Sequence, residues 1–232
     1  ASDVYKSQIQ EMGYESPMPV QEEVIPFLLG DDNDVIALAQ TGTGKTAAFG
    51  LPILQKIDVT TYHPQALVLC PTRELCLQIA DDLNDYSKYI DNLKVLPVYG
   101  GSSIESQIKT LKRGVHVVVA TPGRLLDLMN RKTVDLSLVK NVIMDEADEM
   151  LNMGFTDSIN AILAEVPENR NMLLFSATMP KEIANVTKKY MKNPKEIVIG
   201  NKNEGNKNIR DIYYMVQARD KYLALKRIAD FY

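Results

Sequence analysis

The 232 residues carry 26 Lys and Arg against 30 Asp and Glu, a net charge of −4, which excludes indiscriminate nucleic-acid binding through overall positive charge and makes any such contact local. Hydrophobic residues make up 45% and charged residues 24%, a balance that excludes the disordered, collagenous and disulfide-rich classes. No apolar run nears the roughly 18 residues of a membrane span, and Ala1 to Met12 lacks a signal-peptide layout, so a cytoplasmic protein is expected.

Along the chain, short β-type runs alternate with helical stretches. The predicted strands are Val35 to Ala39, Ala66 to Cys70, Val95 to Tyr99, His116 to Ala120, Val142 to Met144, Met172 to Phe175 and Ile197 to Ile199. Between them fall helical patterns over Arg73 to Tyr89, Ile104 to Lys112, Phe155 to Val166 and Lys181 to Met191. This alternation predicts an α/β fold, a central parallel sheet with helices on both faces and ligands at the carboxyl ends of the strands. Cys70 and Cys76 form no CxxC, and His63 and His116 are scattered, so reduced core thiols are expected and no His/Cys metal site. Asp81, Asp82 and Asp85, like Lys188, Lys189 and Lys192, are read as solvated helix faces.

From Gly200 to Arg210 the composition shifts to Asn, Lys and Gly, which predicts a polar linker over 201–210 after a first domain over 1–200. Ile209 to Val216 then reads as one strand and Lys221 to Tyr232 as one helix, too little to bury a core. Residues 211–232 are therefore expected to be the start of a second domain.

Ala39-Gln-Thr-Gly-Thr-Gly-Lys-Thr46 follows an apolar strand and precedes a helix, the context of a phosphate-binding Walker A loop. Thr41, Gly42, Thr43 and Gly44 would turn backbone N–H groups toward phosphate, Lys45 would reach the β- and γ-phosphates, and the Thr46 hydroxyl suits Mg²⁺. Val142-Ile-Met-Asp-Glu-Ala-Asp148 has the strand-then-acid form of a Walker B element, with Asp145 toward Mg²⁺ and Glu146 as candidate general base. Lys45, Asp145 and Glu146 are thus the expected catalytic set, with a nucleoside triphosphate and Mg²⁺ as ligands.

Asp145-Glu-Ala-Asp148 resembles the name motif of the DEAD-box family of ATP-dependent RNA helicases, and other family elements stand in order. Gly13 to Gln21, including Tyr14, looks like the Q motif; Pro71-Thr72-Arg73-Glu-Leu75 looks like motif Ia. Gly100-Gly101 looks like the glycine doublet, Thr121-Pro122-Gly123-Arg124 like motif Ib, and Ser176-Ala-Thr178 like motif III. The resemblance spans residues 13 to about 200 and implies a RecA-like P-loop NTPase lobe, the first of two helicase lobes. It also implies that Gln21 reads the adenine edge, a role its paired donor and acceptor suit. Motifs Ia and Ib and the glycine doublet would hold RNA phosphates independently of sequence, and Ser176 and Thr178 would couple the nucleotide and RNA sites. Taken alone, Ser176 and Thr178 are read as caps of the helix beginning near Pro180.

Two departures stand out. Met18 occupies a Q-motif position that is usually Thr or Ser, and the family's adenine-stacking aromatic would fall before Ala1. The family's second lobe supplies arginines toward the γ-phosphate, so a chain with only the start of that lobe is expected to bind nucleotide and to be nearly inactive alone. Two functions remain open: a helicase coupling ATP hydrolysis to local RNA unwinding, and an ATP-bound RNA clamp with little turnover.

Overall fold

Seven short strands build one sheet in the computed structural model, which describes residues 11–30, 34–40, 42–199 and 214–231. They are β1 (Val35–Leu38), β2 (Ala66–Leu69), β3 (Val95–Val98), β4 (Val117–Ala120), β5 (Asn141–Met144), β6 (Asn171–Ser176) and β7 (Lys195–Val198). Their order across the sheet is β3-β4-β2-β5-β6-β1-β7, and every neighbouring pair is parallel. Each crossover carries helix: α2 (Lys45–Lys56) after β1, α3 (Arg73–Tyr86) after β2, α4 (Ile104–Lys112) after β3 and α5 (Pro122–Asn130) after β4. Helices α6 (Ala147–Asn152) and α7 (Thr156–Glu165) follow β5, α8 (Lys181–Tyr190) follows β6, and α1 (Pro19–Leu29) precedes β1.

The alternation of side chains along each strand divides the core into two layers. Ile36, Leu38, Leu67, Leu69, Val142 and Met144 face one way, toward Leu125, Leu128, Ile159, Ile162 and Ile183 of α5, α7 and α8. Val35, Ala37, Ala66, Val68, Ile143 and Phe175 face the other, toward Val20, Val24, Phe49, Ile53, Ile79 and Leu83 of α1, α2 and α3. Central strands buried on both faces read as unbroken apolar runs, which is why they were legible as strands from sequence.

Asp34 fastens the edge of the sheet before β1. Its carboxylate, 4% exposed, accepts the backbone N–H of Met172 at 2.7 Å and of Lys192 at 2.5 Å, tying β6 and the segment before β7 to one anchor. A buried carboxylate is tolerable there because charge-assisted bonds to backbone donors compensate its desolvation.

The chain divides into two compact units, Ala1–Lys202 and Asn203–Tyr232. In the second, a 3₁₀ turn over Ala218–Asp220 leads into α9 (Lys221–Phe231), whose Tyr222, Leu223, Leu225 and Phe231 are exposed. The strand expected to end at Val216 does not extend over Tyr214–Val216, where no strand forms. The expected polar linker, with the start of that strand and Ile212, lies outside the described residues.

Candidate functional site

Sheet order converts scattered motifs into a linear layout. Reading across the carboxyl ends, the loops after β3, β4, β2, β5, β6 and β1 carry Gly100-Gly101, Thr121-Arg124, Pro71-Arg73, Asp145-Asp148, Ser176-Thr178 and the Gly-rich loop. Strands about 4.8 Å apart make this row about 24 Å long. The acidic loop lies between a Gly/Arg-rich half and a phosphate-loop half.

At the second half, Gly42 (φ 79°) and Gly44 (φ 81°) take left-handed conformations open to glycine, and Gly44 directly precedes α2. Lys45 opens that helix, 7% exposed, and its Nζ lies 3.5 Å from Asp145 Oδ1 at the end of β5. Burial pushes the Asp145 carboxyl above the usual carboxylate range, and the Lys45 ammonium draws it back. Glu146 follows with φ 51° and ψ 49°, a left-handed conformation that costs a non-glycine residue of order 1 kcal/mol or more. That backbone turn separates the directions of Asp145 and Glu146 at the start of α6. Thr41, also assigned here, lies outside the described residues, and Thr43 spends its hydroxyl on the Gln40 carbonyl at 2.8 Å.

Gln21 sits behind the loop, 4% exposed. Its Oε1 accepts the Met18 N–H at 2.9 Å, capping α1, and its Nε2 donates to the Gly44 carbonyl at 3.1 Å. A side-chain amide offers two donors and two lone pairs, so one of each remains for an adenine edge. Met18, in place of a hydroxyl residue, packs its sulfur against Gly44: a Cβ there would meet Met18 Sδ at 2.8 Å and Gln21 Nε2 at 2.5 Å. Beside Gln21 an apolar cavity of about 210 Å³ is lined by Tyr14, Ala47, Leu51 and Tyr86. The Tyr14 and Tyr86 hydroxyls meet at 3.1 Å across it, and burial, then Tyr14, pushes the Tyr86 phenol up.

Asp82 corrects the sequence reading. It is half-buried rather than solvated, and burial pushes its carboxylate above the ordinary range while the neighbouring Thr46 hydroxyl opposes that shift. Helical spacing on α3 marked Asp82 as one of an acidic face, but it could not show that α2 packs against that face.

Motif III is not a helix cap. Helix α8 begins after Pro180 without a side-chain cap. Ser176, fully buried, donates instead to the Thr178 carbonyl at 2.7 Å, and Thr178 donates its N–H (3.0 Å) and hydroxyl (2.8 Å) to Asp148 Oδ2. The loops after β5 and β6 are thereby clamped together.

Along the first half, Thr72 caps α3 through the Leu75 N–H at 3.2 Å, while Thr121 makes no side-chain cap bond ahead of Pro122. Among the described residues, Gly101 (φ 80°) has the Arg73 guanidinium as its near neighbour, 3.6 Å from a notional Cβ, and the ideal Cβ positions on Gly100 and Gly123 are open. The Arg73 guanidinium lies 5.0 Å from the centre of the Tyr99 ring. Arg124 donates to the Ser102 carbonyl and to Gln107 Oε1, both at 3.1 Å. Gln107, buried and unmarked by any motif, donates in turn to the Tyr99 carbonyl (3.1 Å) and Ser102 Oγ (2.7 Å). It locks the glycine doublet to motif Ib.

The donor set fits Mg²⁺, which takes few protein ligands and keeps most of its waters: Asp145 and Thr46 supply hard oxygens beside the phosphate loop. No group of three or more His, Cys, Asp or Glu that could hold a metal by itself occurs among the described residues. Among those residues no helix is long and apolar enough to cross a membrane.

Residues 18–186 match the family model of the DEAD/DEAH box helicase domain. The chain is 50% identical over 222 residues to the ATP-dependent RNA helicase DeaD of Mycobacterium tuberculosis, covering 96% of this chain and 39% of that protein. It is 46% identical over 229 residues to the DEAD-box ATP-dependent RNA helicase CshA of Bacillus cereus, covering 99% of this chain and 43% of that one. The chain thus spans about two fifths of the length of these relatives. The crystal structure of a DEAD box protein from the hyperthermophile Methanococcus jannaschii superimposes with a TM-score of 0.82 at 42% identity, over 97% of this chain and 60% of that one. The seven-stranded parallel sheet is accordingly a RecA-like helicase lobe, and the chain belongs to the DEAD/DEAH box helicase family.

Proposed function

We propose that this chain is the nucleotide-binding lobe of an ATP-dependent RNA helicase, in which ATP hydrolysis drives local unwinding of RNA. The observation that carries the reading is the buried pairing of Lys45 with Asp145 at 3.5 Å, in a corner bounded by the Gly42–Gly44 turn and the Asp148–Thr178 clamp. An ammonium and a carboxylate that neutralise each other in a buried corner are poised to exchange partners when phosphate arrives.

Loop amides and the amino end of α2 receive the phosphates, and Lys45 turns from Asp145 to the β- and γ-phosphates. Gln21 pairs with adenine through its second donor and acceptor, and Tyr14 bounds the base pocket. Asp145 and Thr46 would hold Mg²⁺, which supplies charge neutralisation at the phosphate oxygens. For this the Thr46 hydroxyl turns from its neighbour Asp82. Glu146 orients a water in line with the γ-phosphorus and takes its proton as the new P–O bond forms and the bond to the ADP oxygen breaks.

RNA lies on the other half of the edge. Pro71, Thr72 and Arg73 at the start of α3, and Thr121, Pro122, Gly123 and Arg124 at the start of α5, offer helix N-termini and cations to successive phosphates. Gly100 and Gly101 admit close backbone approach. The Asp148–Thr178 clamp, with Ser176 beneath it, links the loop bearing Glu146 to the strand beside the phosphate loop. Full turnover requires a second lobe in cis, whose arginines complete the γ-phosphate site. The protein then works in the cytoplasm on RNA without sequence preference.

Steady-state ATPase with and without single-stranded RNA, run on this chain and on the protein with its second lobe, tests the reading. RNA stimulation only in the two-lobe form is expected, and unchanged ATP affinity in a folded Lys45→Ala variant would overturn it.

A further inference from the structure

The opposite edge of the sheet carries a second basic surface that no motif covers. Where β3 and β4 begin, a cleft of about 400 Å³ is lined by Tyr62, His63, Lys112, Arg113, Lys132 and Asp135. Lys94 stands at its margin, Nζ 5.3 Å from the centre of the Tyr62 ring. Among the described residues none of Lys94, Lys112, Arg113 and Lys132 is in an ion pair. Among the described residues Asp135 is the one carboxylate lining the cleft, and it accepts the Ser137 N–H at 2.9 Å. Three lining cations, with Lys94 at the margin, face one lining acid on a chain of net charge −4.

The walls are fixed. Gly114 (φ 86°) presses on Tyr62, where a Cβ would meet the Tyr62 Cβ at 2.6 Å and its carbonyl at 2.9 Å. Beneath the ring, His116 accepts the Lys94 N–H on Nδ1 at 3.0 Å and donates from Nε2 to the Val59 carbonyl at 3.3 Å. That pattern is the neutral tautomer, and burial holds the imidazole below its ordinary range. The His116 and Tyr62 rings lie 5.5 Å apart.

We propose that this cleft is a second RNA contact, in which Lys112, Arg113 and Lys132 hold phosphates and the 48%-exposed Tyr62 ring receives a base in place of Lys94. An acidic peptide would use the cations alone. The exposed ring with a cation over its face favours nucleic acid, because every base has a face to stack. The inference rests on the RNA reading above. Four-residue strands put about 13 Å of sheet, plus loops, between this cleft and the motif-bearing edge, so only a long strand reaches both.

Fluorescence anisotropy with labelled oligouridine of about 6 and about 30 nucleotides tests it, on the parent, on Lys112→Gln/Arg113→Gln/Lys132→Gln and on Arg73→Gln/Arg124→Gln. The triple variant should bind the short oligomer within about twofold of the parent and the long one about tenfold more weakly, with the slope of log affinity against log salt reduced by about 2. Equal affinity and slope for the long oligomer would overturn the second contact while leaving the RNA reading intact. Should Arg73→Gln/Arg124→Gln alter neither length, the motif-edge reading fails separately. Equal weakening of polyglutamate and RNA by the triple change would assign the cleft to an acidic protein segment and overturn the proposal.

Discussion

The two halves of the carboxyl edge solve opposite problems. In the proposed nucleotide half, side chains among the described residues already have internal neighbours: Lys45 pairs with Asp145, Gln21 with Gly44, and Thr46 lies beside Asp82. In the RNA half the side chains are held by bonds that need not break, Arg124 by Ser102 and Gln107, Arg73 against Tyr99. A buried charge must be compensated whether or not ligand is present, so the deep corner exchanges partners. An exposed cation is solvated either way, so the edge only has to fix its direction. On the proposed reading, the lobe would bind ATP by substitution and RNA by addition.

Removing Glu146, the proposed base at the junction of the halves, should have the largest effect. Glu146→Gln keeps the shape and the left-handed turn but cannot take a proton, so single-turnover hydrolysis in the two-lobe protein should fall about 100-fold or more, with nucleotide affinity nearly unchanged. Parent-like hydrolysis would move the base elsewhere. A companion, Glu146→Gly, should relieve the backbone strain at φ 51°, raising thermal stability while abolishing hydrolysis.

Lys45→Ala tests substitution directly. Affinity for a fluorescent ATP analogue should drop about 10- to 100-fold, the worth of one charge-assisted phosphate contact. The same change strands the Asp145 carboxylate, so stability in urea should fall by about 3 kcal/mol. Adding Asp145→Asn should restore much of that stability without restoring binding. Were the single variant as stable as the parent, the two groups would not be energetically paired.

Gln107→Ala probes addition. It removes the bonds that hold Arg124 and the Ser102 turn, so RNA affinity should weaken about fivefold while nucleotide affinity stays the same, the cost of one or two hydrogen bonds. A parallel loss of nucleotide binding would show that the halves are not separable.

Sequence revealed the motifs because each combines a strand end with unusual chemistry, as in Gly42–Thr46 and Asp145–Glu146. It could not reveal residues whose role comes from a partner far along the chain. Gln107 lies on α4 at an ordinary helical position, and only the neighbouring placement of β3 and β4 brings Arg124 to it. Asp82 had the same problem, its partner Thr46 lying on another helix, and Asp148 was visible as a letter of its motif but not as the acceptor for Thr178. Motif III illustrates the converse: local capping logic favoured Ser176 and Thr178 as helix caps, and a tertiary bond outcompeted it.

The smallest expected effect concerns the opposite edge, where one residue holds its loops by substitution-free bonds that acid can break. His116 is neutral because Nδ1 must accept from Lys94 and Nε2 must donate to Val59, and burial, reinforced by the nearby Lys94 charge, opposes protonation. Its folded pKa lies below the unfolded value of about 6.5, so the unfolded chain binds a proton more readily. The contribution to stability is therefore fully present above about pH 6.5 and is lost as pH falls toward the folded pKa. One proton limits the slope to about 1.4 kcal/mol per pH unit. Urea unfolding of the parent and of His116→Gln between about pH 7.5 and 5.5 should give curves that converge on acidification, since the variant lacks this titration. Curves that stay parallel would show that the imidazole keeps its bonds when charged, and that the loop carrying Tyr62 is pinned by packing against Gly114 alone.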